Sequence, residues 1–208
     1  MPEVLVPPAR WQRWLANFAA SHGGVVQATV EGGVHGAGTD GSSFTARLPF
    51  SRDYDGPPDE LAEHAVAPAG WGVLLVRKGG FAMARIEGGA LTASKVGRRH
   101  VQGRTKAGGQ SQQRFARRRA NQARVAYEAA ADHAATVLAG VGEVVAGGDR
   151  GAVDEVLADP RLHSVGVVGP WLAVPDPRRA VLEQALRDAQ ALVVSVHNAG
   201  AAGLRAPG

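Results

Sequence analysis

The sequence predicts an α/β fold in which a mixed β-sheet carries helices on its faces. Residues 71–101 contain three strand-like runs separated by glycine pairs, a pattern typical of an antiparallel meander. Residues 111–139 follow with one long stretch of helical periodicity. Residues 143–197 then alternate between apolar runs of strand length and helical segments. Together these observations indicate a mixed sheet rather than an all-β or all-α domain.

Residues 1–70 are expected to form an extension with a helix, a hairpin and a linker. The helix is predicted over residues 9–21, where large apolar side chains recur at helical spacing: Trp11, Trp14, Leu15 and Phe18. The runs Val25–Val30 and Ser43–Phe50 flank a glycine-rich stretch and predict a loose hairpin. Residues 51–70 contain adjacent prolines and several acids, which favours a linker.

Residues 71–198 are predicted to form the main domain, with a flexible tail at 199–208. The meander should turn at Gly79-Gly80 and Gly88-Gly89, and a helix should run from Ser111, its N-cap, to Ala139. Five further elements are expected in the order β-α-β-α-β: Glu143–Ala146, Arg150–Leu157, Val165–Val174, Pro177–Gln190 and Ala191–His197. This is the element order of ribonuclease H-like folds.

The composition excludes several classes of chemistry. The 208 residues contain no Cys, which rules out disulfides, thiolate nucleophiles and Cys-based zinc sites. The seven His show no metal-ligand spacing, and the strand 73–77 lacks the Asp that a two-metal nuclease needs. No apolar run approaches the ~18 residues of a membrane span, and no signal peptide is evident. We expect a cytoplasmic monomer that needs no cofactor or metal and binds no membrane.

One basic block stands out from an otherwise acidic chain. The 40 residues between Glu87 and Glu128 contain no Asp or Glu and ten Lys or Arg, whereas the rest of the chain has 13 basic and 19 acidic residues. On the helix, one face is apolar, and the opposite face begins basic and then turns acidic. The apolar face is predicted to consist of Phe115, Ala123, Ala126, Ala130, Ala134 and Val137. Such an asymmetry indicates a polyanion-binding surface. The candidate RNA contacts are Arg98, Arg99, Arg104, Lys106, Arg114, Arg117, Arg118 and Arg124.

The loop within this block contains the tripeptide Gly108-Gly109-Gln110. The spacing from Gly103 to Gly108 resembles the start of a P-loop, but the Lys and hydroxyl residue that must follow are absent, so we predict no nucleotide binding. The run GRTKAGGQSQQRFARRRANQ resembles the loop and following helix of the middle domain of archaeal and eukaryotic peptide chain release factors. It is most similar to their stand-alone relatives, the Vms-like release factors (VLRF family) of ribosome rescue, including actinobacterial members.

The resemblance implies a codon-independent peptidyl-tRNA hydrolase that acts on stalled large ribosomal subunits. In the loop 103–111, Gly108 and Gly109 would let the backbone approach the ester without Cβ clashes. Gln110 would orient water and stabilise developing charge, since a neutral amide cannot act as a general base. Ribosomal RNA and the tRNA's own hydroxyl would supply the rest. The chain has no room for the domain with which the family's decoding members read stop codons, so we expect no decoding.

Two alternatives remain open. Some relatives carry Ser at the second motif position and are associated with cutting tRNA near its acceptor end, and Gly109 favours ester hydrolysis without excluding that activity. The other alternative is a non-catalytic ribosome- or tRNA-binding factor in which the tripeptide is only a flexible hinge. Both alternatives keep the basic surface, so RNA affinity alone does not separate them.

Overall fold

The computed structural model describes residues 2–98 and 110–199, with side chains described in both ranges except at residues 110–123. The chain divides into two compact units, one formed by Met1–Ala67 with Gln190–Gly208 and the other by Pro68–Ala189. Each unit has its own β-sheet and its own hydrophobic core. The described part of the protein is therefore mixed α/β, with two five-stranded sheets and four α-helices.

The first unit is an antiparallel sheet with one α-helix, α1 (Trp11–Ser21). Its strands are β1 (Glu3–Val6), β2 (Val26–Val30), β3 (Gly33–Ala37), β4 (Ser43–Arg47) and β10 (Leu192–His197), in the spatial order β1-β10-β4-β3-β2. The predicted helix is confirmed, and its apolar stripe packs on the sheet. Trp11 and Phe18 both contact the Phe44 ring edge to face, with centroids 5.7 Å and 5.0 Å away. These aromatic contacts form the centre of the unit's core.

The predicted hairpin is a three-stranded arrangement, because the glycine-rich stretch contains β3. The sequence Gly33-Val-His-Gly-Ala has few apolar residues, so its pattern does not predict a strand. Gly36 has a packing reason, since a Cβ there would lie 2.2 Å from the Phe44 ring. The missing side chain lets the ring lie directly against the strand.

The last strand, β10, is correctly located in the sequence but belongs to the first unit. It pairs antiparallel with β1 on one side and β4 on the other, at the registers Val6↔Leu192 and Ala46↔Val194. Leu192 and Val194 are fully buried in the core that contains Phe44. The prediction that this strand completes the β-α-β-α-β sheet is wrong. An alternating apolar pattern specifies a strand but not the sheet in which it pairs.

The second unit has a mixed sheet in the order β7-β6-β5-β8-β9. The meander strands are β5 (Gly70–Arg77), β6 (Gly80–Glu87) and β7 (Ala90–Arg98), and β8 (Glu143–Gly148) and β9 (Gly166–Leu172) add in parallel to β5. The turn at Gly88-Gly89 is confirmed, with φ of 57° and 80° as a tight hairpin requires. The other turn is at Lys78-Gly79 instead of Gly79-Gly80, because Gly80 already pairs with Arg77.

Three helices complete the second unit: α2 (Gln110–Val137), α3 (Arg150–Leu157) and α4 (Arg179–Asp188). Helices α2 and α3 share one core with Leu74 and Val76, which point to the same face of β5. Val73 and Leu75 point to the opposite face and are also fully buried, and α4 contacts β5 and β6. The predicted bounds of α3 are confirmed, and Trp71 at the start of β5 is a core residue.

Candidate nucleic-acid interface

The segment that carries the glycine-glycine-glutamine motif connects β7 to α2. Strand β7 ends at Arg98 and α2 begins at Gln110. Five of the predicted site residues fall in the intervening segment and therefore lie outside the described residues: Arg99, Arg104, Lys106, Gly108 and Gly109. The structure describes the two elements that flank this segment, the end of β7 and the start of α2.

Gln110 is the first residue of α2, so the predicted N-cap Ser111 lies within the helix. The first four N–H groups of an α-helix have no intrahelical acceptor, and the helix macrodipole is positive at this end. The backbone N–H of Gln110 is consequently one of the donors available to an external oxygen.

The second half of α2 fixes the helix to the sheet. Ala130 and Ala134 are fully buried, Val137 and Leu138 are nearly so, and all four pack in the core with Leu74. The predicted apolar face is confirmed at Ala130, Ala134 and Val137, and Ala126 is half-buried. Phe115 and Ala123, predicted for the same face, lie outside the described side chains.

An ion-pair cluster attaches α2 to the segment after α3. Arg161 donates to Asp132 on α2 and to Asp159, in each case from Nη2 at 2.7 Å. Side-chain and backbone hydrogen bonds from Arg161 lower the pKa of Asp159 to about 2, and the same carboxylates raise the pKa of Arg161. Since the pairs are exposed, their contribution to stability is small, and the buried residues of α2 do most to hold the helix on the unit.

Two of the predicted RNA-contacting residues have described side chains, one on each element that flanks the segment. Arg98 is exposed at the end of β7 and forms no ion pair with a described residue. Arg124 is exposed on α2 and pairs with Glu128 one turn later, where the basic face becomes acidic. Part of the Arg124 charge is therefore compensated within the helix. Arg114, Arg117 and Arg118 belong to α2, and their side chains are not among those described.

A cavity of about 230 Å³ lies where β5, β6 and β7 meet α2. Arg98 lines it together with Arg77, Phe81, Tyr127 and Ala129. The Arg77 guanidinium is held by a 2.7 Å hydrogen bond from Nη1 to the Val174 carbonyl oxygen. Burial, followed by the charges of Asp149 and Glu155, raises the pKa of Tyr127, so its phenol stays protonated at neutral pH.

Sequence reasoning did not find Arg77, Phe81 or Tyr127. Their signals are weak: an Arg at the end of an apolar strand, a Phe directly after a turn glycine and a lone Tyr within a helix of alanines. Only the return of α2 across the meander brings them together. Among the described residues, no group of three or more His, Asp or Glu is arranged to hold a metal ion. In the same part of the chain, no helix combines the length and apolar character needed to cross a bilayer.

The chain is similar to one known protein family and, more weakly, to a solved structure. No curated protein matches the chain. Among solved structures, the chain is similar to the Vms1 mitochondrial localization core, with 11% identity, a TM-score of 0.41, and coverage of 89% of this chain and 80% of that one. The model of the Actinobacteria/chloroflexi VLRF1 release factor family matches residues 69–195, which is well over half of the chain and includes the motif and both elements that flank it. The chain therefore belongs to the Actinobacteria/chloroflexi VLRF1 release factor family.

Proposed function

We propose that the protein is a codon-independent peptidyl-tRNA hydrolase that releases nascent chains from stalled large ribosomal subunits in the cytoplasm. One observation carries the proposal: a chain of the VLRF1 release factor family contains the motif Gly108-Gly109-Gln110, and Gln110 is the first residue of the 28-residue helix α2. The motif would enter the peptidyl-transferase centre, and its substrate would be the ester that joins the peptide to the terminal ribose of tRNA.

The length of α2 supports the proposal that the motif enters the peptidyl-transferase centre. At 1.5 Å per residue, Gln110 lies ~30 Å along the helix axis from Ala130, the first residue of α2 that is described as buried. A body that remains on the surface of a large RNA assembly can therefore present the motif deep within it. The core residues 130–138 supply the fixed end that such a presentation requires.

The proposed reaction needs no carboxylate pair or metal from this chain. Water attacks the ester carbonyl carbon, the bond to the ribose oxygen breaks, and that oxygen receives the proton that the water loses. Gln110 would hold the water with its side chain, and its backbone N–H would donate to the developing oxyanion. Ribosomal RNA and the adjacent tRNA hydroxyl would complete the site, and the isolated protein would then be nearly inert.

The arginines around the motif would bind the RNA backbone. Arg98 at the end of β7, with Arg114, Arg117 and Arg118 on α2, would contact phosphates of ribosomal RNA and tRNA. Arg124 would contribute less than these, because Glu128 already binds its guanidinium. The mixed sheet of the second unit supports a ribonuclease H-like fold for this unit. Its three antiparallel strands are followed by two parallel strands, each reached through a helix.

Release of a labelled nascent chain from purified stalled large subunits tests the proposal. We expect Gln110→Ala to abolish release while subunit binding stays within a few-fold of wild type. Gln113→Ala is the matched control, because it removes the same amide one turn further along α2, outside the motif. The released peptide should leave behind an intact tRNA with its terminal CCA.

Three results would contradict the proposal. Unchanged release by Gln110→Ala would remove the role of the motif. Peptide still attached to a tRNA fragment would identify an acceptor-end nuclease. Tight subunit binding without release by the wild type would identify a non-catalytic RNA-binding factor.

A further inference from the structure

The residues that line the cavity between the meander and α2 suit a ligand that has one planar, partly apolar ring and a negatively charged group attached to it. Its walls come from Val76, the rings of Phe81 and Tyr127, and small side chains of α2. Its volume of about 230 Å³ is below the roughly 300–1,000 Å³ of sites that hold drug-sized ligands. The space therefore suits a single ring system.

The Phe81 wall is held by contacts on two sides, and the Tyr127 wall is carried by α2. Phe81 pairs with Gly97 across the strands, and a Cβ at Gly97 would lie 2.4 Å from the Phe81 ring, so the ring lies directly against the β7 backbone. His133 contacts the same ring, with centroids 5.5 Å apart. Tyr127 is half-buried on α2, next to the anchored segment that begins at Ala130.

Two guanidinium groups, those of Arg77 and Arg98, line the cavity, whereas Asp149 and Glu155, whose charges act on Tyr127, are not among its lining residues. The hydrogen bond from Arg77 to the Val174 carbonyl uses one N–H donor and compensates none of the charge. Arg98 forms no ion pair with a described residue. This apolar cavity with its two arginines is a slot that favours a nucleobase attached to a phosphate over the neutral side chain of a peptide.

We propose that this cavity binds one unpaired nucleotide of RNA, with the base between the Phe81 and Tyr127 walls and the phosphate on Arg77 and Arg98. The proposal rests on the proposed function, because it makes the slot part of the same RNA-binding surface. The protonated Tyr127 hydroxyl has no hydrogen-bond partner among the described residues, and it can donate to an oxygen of the bound nucleotide. Single-stranded bases are bound in this way, by aromatic contact with backbone charge alongside.

Methyl NMR on the full-length protein tests the slot directly. Ala126, Ala129 and Ala130 all line the cavity, so their methyl groups report on its occupant. We expect the RNA trimers of uridine and of adenosine to shift these signals. An abasic trimer of the same length and charge should not shift them.

A bulky substitution at the cavity wall provides the variant. Ala129 is exposed, so Ala129→Leu adds volume at the cavity without disturbing the buried core, and we expect it to weaken trimer binding by about 10-fold or more. Thr136→Leu is the matched control, because Thr136 is exposed two helical turns later on the same side of α2 and does not line the cavity. That control should bind the trimers as the wild type does.

Several outcomes would overturn the proposal. Equal binding of the abasic trimer would show an anion site without a base slot. Shifts caused by N-acetylphenylalanine amide but not by RNA would identify a pocket for a peptide side chain, and no shift with any probe would show that the cavity binds none of them. Because Gln110-dependent release is measured separately on large subunits, a failure of the slot and a failure of the proposed hydrolase are distinguishable.

Discussion

At the scale of single residues, several glycines of this protein allow close packing that any larger residue would prevent. Gly36 and Gly97 each let an aromatic ring lie against a strand, and Gly72 lets α2 approach β5. A Cβ at Gly72 would lie 2.8 Å from Leu138 Cδ2 and 3.1 Å from the Ala84 carbonyl oxygen. The close packing that holds α2, and with it the start of the helix at Gln110, therefore requires a glycine in β5.

Gly72→Ala should destabilise the second unit by about 1–3 kcal/mol, because the new methyl group overpacks the contact between β5 and α2. Gly70→Ala is the control on the same strand, since a Cβ there meets no atom within 4 Å and points to the same side of the sheet. Urea unfolding followed by circular dichroism measures both variants. Equal free energies of unfolding for the two would contradict the packing argument.

At the scale of elements, α2 combines two functions along its length. Its second half is apolar on one side and buried, while its first half carries the arginines predicted to contact RNA. The sequence alone predicts the helix to within two residues at its C-terminus, because alanines recur at helical spacing over many turns. The cavity beside it could not be predicted, since its walls come from β5, β6, β7 and α2 and depend on how the helix crosses the meander.

Reversing two charges on this helix tests its role in binding. Arg117→Glu with Arg118→Glu should weaken affinity for large subunits and reduce the slope of log affinity against log salt, because fewer counterions are released. Arg178→Glu with Arg187→Glu is the control, as it changes the net charge equally at the two ends of α4. Binding measured over a series of salt concentrations separates the two. The same loss in both double variants would show that only the net charge matters.

At the scale of the whole molecule, the chain leaves the first unit, builds the second and returns. Strand β10 lies between β1 and β4 in the first sheet, so the first unit is completed only by the residues after Gln190. The family match over residues 69–195 covers the second unit and reaches into this returning strand. The two units share the chain but have separate cores.

Ending the chain after Ala189 should unfold the first unit and leave the second folded. The truncation removes β10 from the middle of the sheet and opens the core around Trp11, which is fully buried. Trp11 and Trp14 fluorescence should shift to longer wavelength, whereas Trp71, measured with the other tryptophans replaced by Phe, should remain buried. Loss of both signals together would show that the units do not fold independently.

The local features of this protein can be read from its sequence: the helix that follows the motif, the meander, the basic block and the resemblance to release factors, which the family match confirms. These follow from periodicity, turn residues and charge, all of which are properties of neighbouring residues. The folded chain was needed to find that β10 pairs with β1 and β4, and that Arg77, Phe81 and Tyr127 meet around one cavity. Strand pairing and cavity walls are contacts between residues far apart in the chain, and many such pairings satisfy the same local pattern.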